Sequence, residues 1–312
     1  MPVTLRASLL VLLPLALAPA VAVAEPERNG FRLAPASVPV EKILPGGPPR
    51  DGIPALDDPE RIPAAEAPWD DDEMVVGVAL DGAAAAYPIA ILVWHELVND
   101  TLAGRPILVS YCPLCGTAMV FDRNVGGRER RFGVSGLLYQ SDLLLYDRET
   151  ESLWSQISSE AVTGPALGTR LPLLRARLVP WSAWKQEHPE TTVMSRKTGH
   201  ARPYGRSPYG DYATSSDLYF PVDLDRRFHP KTPTLGLRLP GGEARAYPAS
   251  ELAKVGGAVR EHFAGRPVRV AYDAEAQVFA FEAPDDVEVV EGFWFAWMAF
   301  HPKSSVFLAP SP

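Results

Sequence analysis

From residue 74 onward, short apolar runs alternate with glycine and proline turns. "MVVGVALDG" (74–82) alternates Val, Ala and Leu up to Asp81-Gly82, as a strand entering a hairpin does. The returning strand ends at Tyr87-Pro88, a helix-like stretch follows, and "PILVSY" (106–111) starts a second hairpin. The same signals return in the C-terminal half. "VGVALDGAAAAYP" (76–88) matches "LGLRLPGGEARAYP" (235–248) with one insertion, and "GRPILVSY" (104–111) matches "GRPVRVAY" (265–272). Trp181-x2-Trp184-x3-His188-Pro189 has the spacing of Trp294-x2-Trp297-x3-His301-Pro302, each predicting a short helix that ends near the proline. Three anchors in one order mark an internal repeat. Short connections favour antiparallel pairing. The expected fold class is α+β: β-rich, mainly antiparallel, with a pseudo-duplicated hairpin–helix–hairpin unit in one domain, 73–312. Copy one spans 75–193, connecting loops 194–233 and copy two 234–306.

The N-terminus reads differently. Arg6, the apolar run "LLVLLPLALAPAVAVA" and Ala22-Val23-Ala24 before Glu25 form a signal peptide over 1–24, broken by Pro14 and Pro19. No later run reaches the 18 or so apolar residues that span a bilayer, so the expectation is a periplasmic or secreted protein with no membrane span after cleavage. Residues 25–72 are rich in Pro and Gly and lack periodicity, predicting an extended arm over the domain or a linker. The formal charge of −8 excludes nucleic acid as a partner. With 32 prolines the chain is turn-rich, and two cysteines are too few for a disulfide framework.

Both cysteines lie in "YCPLCG" (111–116). The second copy builds the same hairpin with Asp273 at the position of Cys112 and about Ala276 at that of Cys115. The scaffold therefore does not need the sulfurs. Pro113 and Gly116 suit a knuckle that turns two thiols the same way. A metal there must recruit other ligands: His95 from the preceding "WHELVND" helix is the first choice and Met119 a weak second, a set that suits copper above zinc. On a continuous helix Asn99 falls one turn beyond His95, where it and Asp100 can orient the ring. The alternatives are a redox dithiol working with a partner protein, and an inert short-loop disulfide in a binding module. "GTAMVFDR" after the cysteines reads as strand, unlike the helix that opens at a thioredoxin-type motif.

Copy one also carries an insertion, including "RFGVSGLLYQSDLLLYDRETESLWSQ" (131–156). Ser135 does not head a nucleophile elbow, because Leu137 stands where glycine is needed. Glu96 beside His95, and Ser135, Ser141, Asp142, Trp154 and Gln156 from the insertion, are candidates for a second shell or pocket. No catalytic residue is assigned. No phosphate-binding loop or dinucleotide fingerprint occurs, so no nucleotide cofactor is indicated. The loop 199–221 is rich in Tyr and Gly, as binding loops are.

"WHELVNDTLAGRPILVSYCPLCGTAMVFDR", "FGVSGLLYQSDLLLYDRETESLWSQ", "WKQEHPETTVMS", "YGDY" and "FHPKTPTLGL" together resemble the family catalogued as domain of unknown function 3179, from about residue 75 onward. The resemblance implies an exported or surface-attached bacterial or archaeal protein. It carries over no ligand or catalytic residue.

Overall fold

The computed structural model describes Met1, residues 26–240 and residues 242–310. The expected signal peptide thus lies, Met1 apart, outside the described residues. Strands β1 (Met74–Leu80) and β2 (Ala83–Pro88) form the first hairpin. Helix α1 (Ile89–His95) starts behind Pro88, and an antiparallel meander follows: β3 (Leu97–Leu102), β4 (Arg105–Cys112) and β5 (Thr117–Asp122). The insertion adds a second meander, β6 (Phe132–Tyr139), β7 (Asp142–Asp147) and β8 (Leu153–Ser155). Then come β9 (Arg177–Pro180), α2 (Trp181–Glu187) and β10 (Thr192–Met194).

The C-terminal half runs through β11 (Pro233–Arg238), β12 (Ala244–Pro248), α3 (Ala249–Lys254), β13 (Ala258–Phe263), β14 (Arg266–Asp273) and β15 (Val278–Glu282). It ends with β16 (Glu288–Phe293), α4 (Trp294–Phe300) and β17 (Ser305–Val306). The fold is β-rich and mostly antiparallel, as expected. Strand order is β9-β1-β2-β10 in one half and β16-β11-β12-β17 in the other, the last strand of each being parallel to its neighbour. β16 also pairs with β5, which joins the first meander to the C-terminal strands in a nine-stranded sheet. Segments of the 25–72 arm lie in the sheets: Ile43–Pro45 against β6, Leu56–Asp57 against β3 and Arg61–Pro63 against β10. No helix among the described residues is long and apolar enough to cross a membrane.

Each half presses an indole onto a strand glycine. A Cβ on Gly77 would meet the Trp184 ring at 2.3 Å, and one on Gly236 would meet Trp297 at 2.1 Å. The indole nitrogens donate to Thr191 and Ser304, and His188 and His301 pack beside the rings at centroid distances of 4.1 and 4.2 Å. Both histidines are packed, and the buried Nε2 of His301 has no partner among the described residues.

One expected element is corrected. "WHELVND" is not a single helix: α1 stops at His95, and Glu96 reverses the chain at φ 59°, ψ −38°. Residues 97–102 are strand, with Val98 and Thr101 the β-branched residues that favour it. The β4–β5 hairpin separates two cores, with Cys112, Met119 and Phe121 facing one and Ile107, Val109 and Val120 the other. The first core also holds Phe132, Leu145 and Trp154, so the sulfurs face the insertion.

Candidate metal centre

The thiols sit where β4 turns into β5. Cys112 pairs with Thr117, Cys115 N–H donates to Cys112 O at 3.2 Å, and Gly116 takes φ +60° to close the turn. From the C-terminal half, Phe293 N–H donates to Cys115 O at 2.8 Å. The Phe293 ring lies so close that a Cβ on Gly116 would meet it at 2.9 Å. On the sulfur side stands the two-residue β6–β7 turn, Gln140-Ser141, with φ of 54° and 65°. Both positive angles match the tight hairpin turn whose twist suits flanking strands, although neither residue is glycine. The turn sets Ser141 O 3.4 Å from Cys115 Sγ, which donates to it.

Asp142, the first residue after that turn, points at the sulfurs. One ligand atom each from Cys112, Cys115 and Asp142 lie within 4.8 Å of one another. All three residues are buried. Asp142 Oδ2 accepts from Ile157 N–H at 3.1 Å, whereas Oδ1 has no partner among the described residues. The Ser141 and Tyr212 hydroxyls are likewise buried without partners.

Glu96 forms a further wall with Tyr209, whose hydroxyl donates toward Oε1 at 3.5 Å. Its backbone donates N–H to Leu92 O and accepts from Tyr111 N–H. Gly257 makes the same pair of bonds, with Leu252 and Tyr272, at φ +85°. Where one half uses glycine, the other holds a buried glutamate in a conformation that side chains disfavour. Such outliers concentrate at functional sites. Lys231 completes the surroundings: its ammonium donates to the carbonyls of Tyr212, Ser215 and Asp217 and lies 3.4 Å from the Tyr212 ring centroid.

Burial governs the protons. It pushes the Cys112 thiol up, reinforced by the charges of Asp142 and Glu96, and raises Cys115 well above the ordinary thiol range. Burial also raises Asp142 to about 7, opposed by the N–H of Ile157 and by the two neighbouring thiols. Glu96 rises to about 7 by burial, with Tyr209 opposing and Asp142 adding. Four acids therefore share an apolar space in which no side-chain cation bonds them.

The profile of the family described as "Protein of unknown function (DUF3179)" matches residues 50–285. The chain belongs to this family. No curated protein and no solved structure matches it.

In this DUF3179 chain the third group beside the sulfurs is Asp142 rather than the expected His95. Both imidazole nitrogens of His95 are engaged, Nδ1 with Pro54 O and Nε2 with the Tyr204 hydroxyl, each at 2.7 Å. Met119 is a buried core residue on the sulfur-facing side of β5. Asn99 and Asp100 do not orient His95, because the chain between them is extended. Asn99 instead clasps Phe132 and Asp57, and Asp100 accepts from Tyr87 Oη and faces Arg61 at 3.4 Å. Ser135 is absorbed by the β6 bulge, bonding Leu144 O and Leu137 N–H. Trp154 donates to Asp147 at 2.8 Å within the core. Gln156 braces the thiol hairpin through Ser110 Oγ and Thr117 O. Among the expected pocket residues, Glu96, Ser141 and Asp142 reach the site itself. Sequence reasoning missed Tyr209, Tyr212 and Lys231. The Tyr- and Gly-rich composition of 199–221 was the available signal for the two tyrosines, and it singles out neither; no such signal marks Lys231.

Proposed function

We propose that Cys112, Cys115 and Asp142 bind one divalent transition metal, zinc in preference to copper, in an exported metal-handling protein. The observation that carries this reading is the buried, unpartnered Oδ1 of Asp142 beside two sulfurs. A buried oxygen without a partner is costly, and a cation satisfies it. It also offsets the deprotonation of both thiols, which burial alone opposes. Replacing the imidazole or thioether by a carboxylate oxygen moves the donor set from the softest toward zinc. Three protein donors leave a fourth position, and Glu96, Ser141 and Tyr212 are polar groups around it.

The proposal includes two structural readings. The chain is exported through its first 24 residues. Its two halves are copies of one unit, a reading supported by the shared strand order, the paired glycine–indole contacts and the common bonding of Glu96 and Gly257. Only one copy acquired the metal donors.

A second reading, dithiol redox exchange with a partner protein, draws on Asp142 as a proton acceptor held at about 7 beside the thiols. Two-electron oxidation would join the sulfurs and release both thiol protons. Burial of both sulfurs and the absence of a lowered thiol pKa favour the metal.

The test is elemental analysis with thiol titration on protein purified from its exported location. One equivalent of zinc, lost in Cys112→Ser and in Asp142→Asn but kept in His95→Gln, is expected. Zinc-free protein carrying a reducible Cys112–Cys115 bond would establish the redox reading instead.

A further inference from the structure

Behind the thiol turn, on the side away from the sulfurs, lies an open cleft of about 510 Å³. Tyr111, Gly116, Leu178, Phe279, Glu291 and Phe293 are among its lining residues. Tyr111 pairs with Ala118 across β4–β5, and Ala118 pairs with Glu291 across β5–β16. Directly opposed residues stand on one sheet face. Tyr111 and Glu291 therefore share a face two strands apart, about 10 Å from backbone to backbone, with only a methyl group between them.

The Glu291 carboxylate has no hydrogen-bond or ion-pair partner among the described residues. The charged groups around the cleft are committed elsewhere. Lys231 is held by three carbonyls, Arg177 pairs with Glu187, and His229 accepts from Lys231 N–H. The scaffold does not need a glutamate here either. In the other half, β9 places Leu178 opposite Val76, as β16 places Glu291 opposite Leu235. Glu291 is part-buried in the cleft wall, and burial raises its acid to about 8 against the Arg177 charge. A partly desolvated carboxylate without a hydrogen-bond partner gains from a cation that joins it from the cleft.

We infer that this cleft is a binding site for a small organic ammonium ion, whose charge meets Glu291 and whose carbons pack against Tyr111, Phe279 and Phe293. Aromatic faces and a carboxylate together recognise such cations, because the rings accept a weakly hydrated ammonium that a lone carboxylate would leave in water. The cleft lies on the face of the β4–β5 hairpin away from the sulfurs, and Gly116, Lys231 and Phe293 border both.

Isothermal titration of the full chain with choline tests this, with its uncharged carbon isostere, dimethylbutanol, as the control. Saturable choline binding is expected, weakened roughly 10- to 100-fold in Glu291→Gln and weaker still for dimethylbutanol on the native protein. Phe279→Leu should weaken choline more than dimethylbutanol, because it removes a ring face that attracts the cation. Thermal melting of Glu291→Gln confirms that the variant is folded. The inference is overturned if choline shows no saturable binding up to about 10 mM, or if folded Glu291→Gln binds it equally well.

Discussion

At Glu96 a buried carboxylate rides on a backbone that glycine adopts more readily, φ 59° and ψ −38°. Strain of this kind costs on the order of 1–3 kcal/mol. Glu96→Gly is therefore expected to raise the stability of metal-free protein by about that amount in denaturant melts, while weakening zinc binding in a competition assay. A variant that lost stability would show that Glu96 serves the fold. Proton linkage gives a second expectation at this scale. Asp142 and Glu96 are each raised to about 7 by burial, so the folded chain holds protons that the unfolded chain has released. Metal-free protein should accordingly lose stability as pH climbs from about 4 to 7, and Asp142→Asn should flatten that fall. Zinc affinity should move the other way, strengthening with pH as thiol and carboxylate protons leave. The residue scale is also where sequence was most informative. The cysteines stood out because Asp273 and Ala276 occupy their positions in the other half, and Asp142 and Glu96 were in view as pocket residues. The engagement of both His95 nitrogens was not legible, because the partners, Pro54 and Tyr204, are distant in sequence.

Among the elements, the hairpins were legible because alternation and glycine turns act over a few residues. The break after His95 was not, since "WHELVND" carries no glycine or proline to end a helix. It ends because Tyr111 N–H bonds Glu96 O from the neighbouring strand. The β6–β7 turn is a comparable case, with Gln140 and Ser141 holding positive φ that the strand pairing imposes. Ser141→Gly relieves one such angle and removes an unpartnered hydroxyl. A gain of about 1 kcal/mol is expected from thermal melts. The glycine–indole contacts predict the reverse. Gly77→Ala and Gly236→Ala force a methyl into Trp184 and Trp297, at an expected loss of about 1–3 kcal/mol each.

The thiol centre draws on both halves of the molecule. β16 pairs with β5, and Phe293 N–H holds the Cys115 carbonyl, so the knuckle is clamped from the C-terminal half. Removing residues from 233 onward would expose the β5 edge and free that carbonyl. The truncated chain should be insoluble or, if recovered, should bind no zinc in elemental analysis. A soluble, zinc-loaded fragment would mean that the first half folds alone. By itself the sequence determined the strand-rich architecture, the two-fold recurrence of its signals and the half that holds both cysteines, because all three are written in spacings of a few residues. Tertiary structure alone decided that Asp142 rather than His95 stands beside the sulfurs, that Tyr209 and Tyr212 lie around them, and that Glu291 is left facing a cleft. Those choices depend on which distant strands pair, and strand pairing is settled by the packing of whole faces rather than by any local motif.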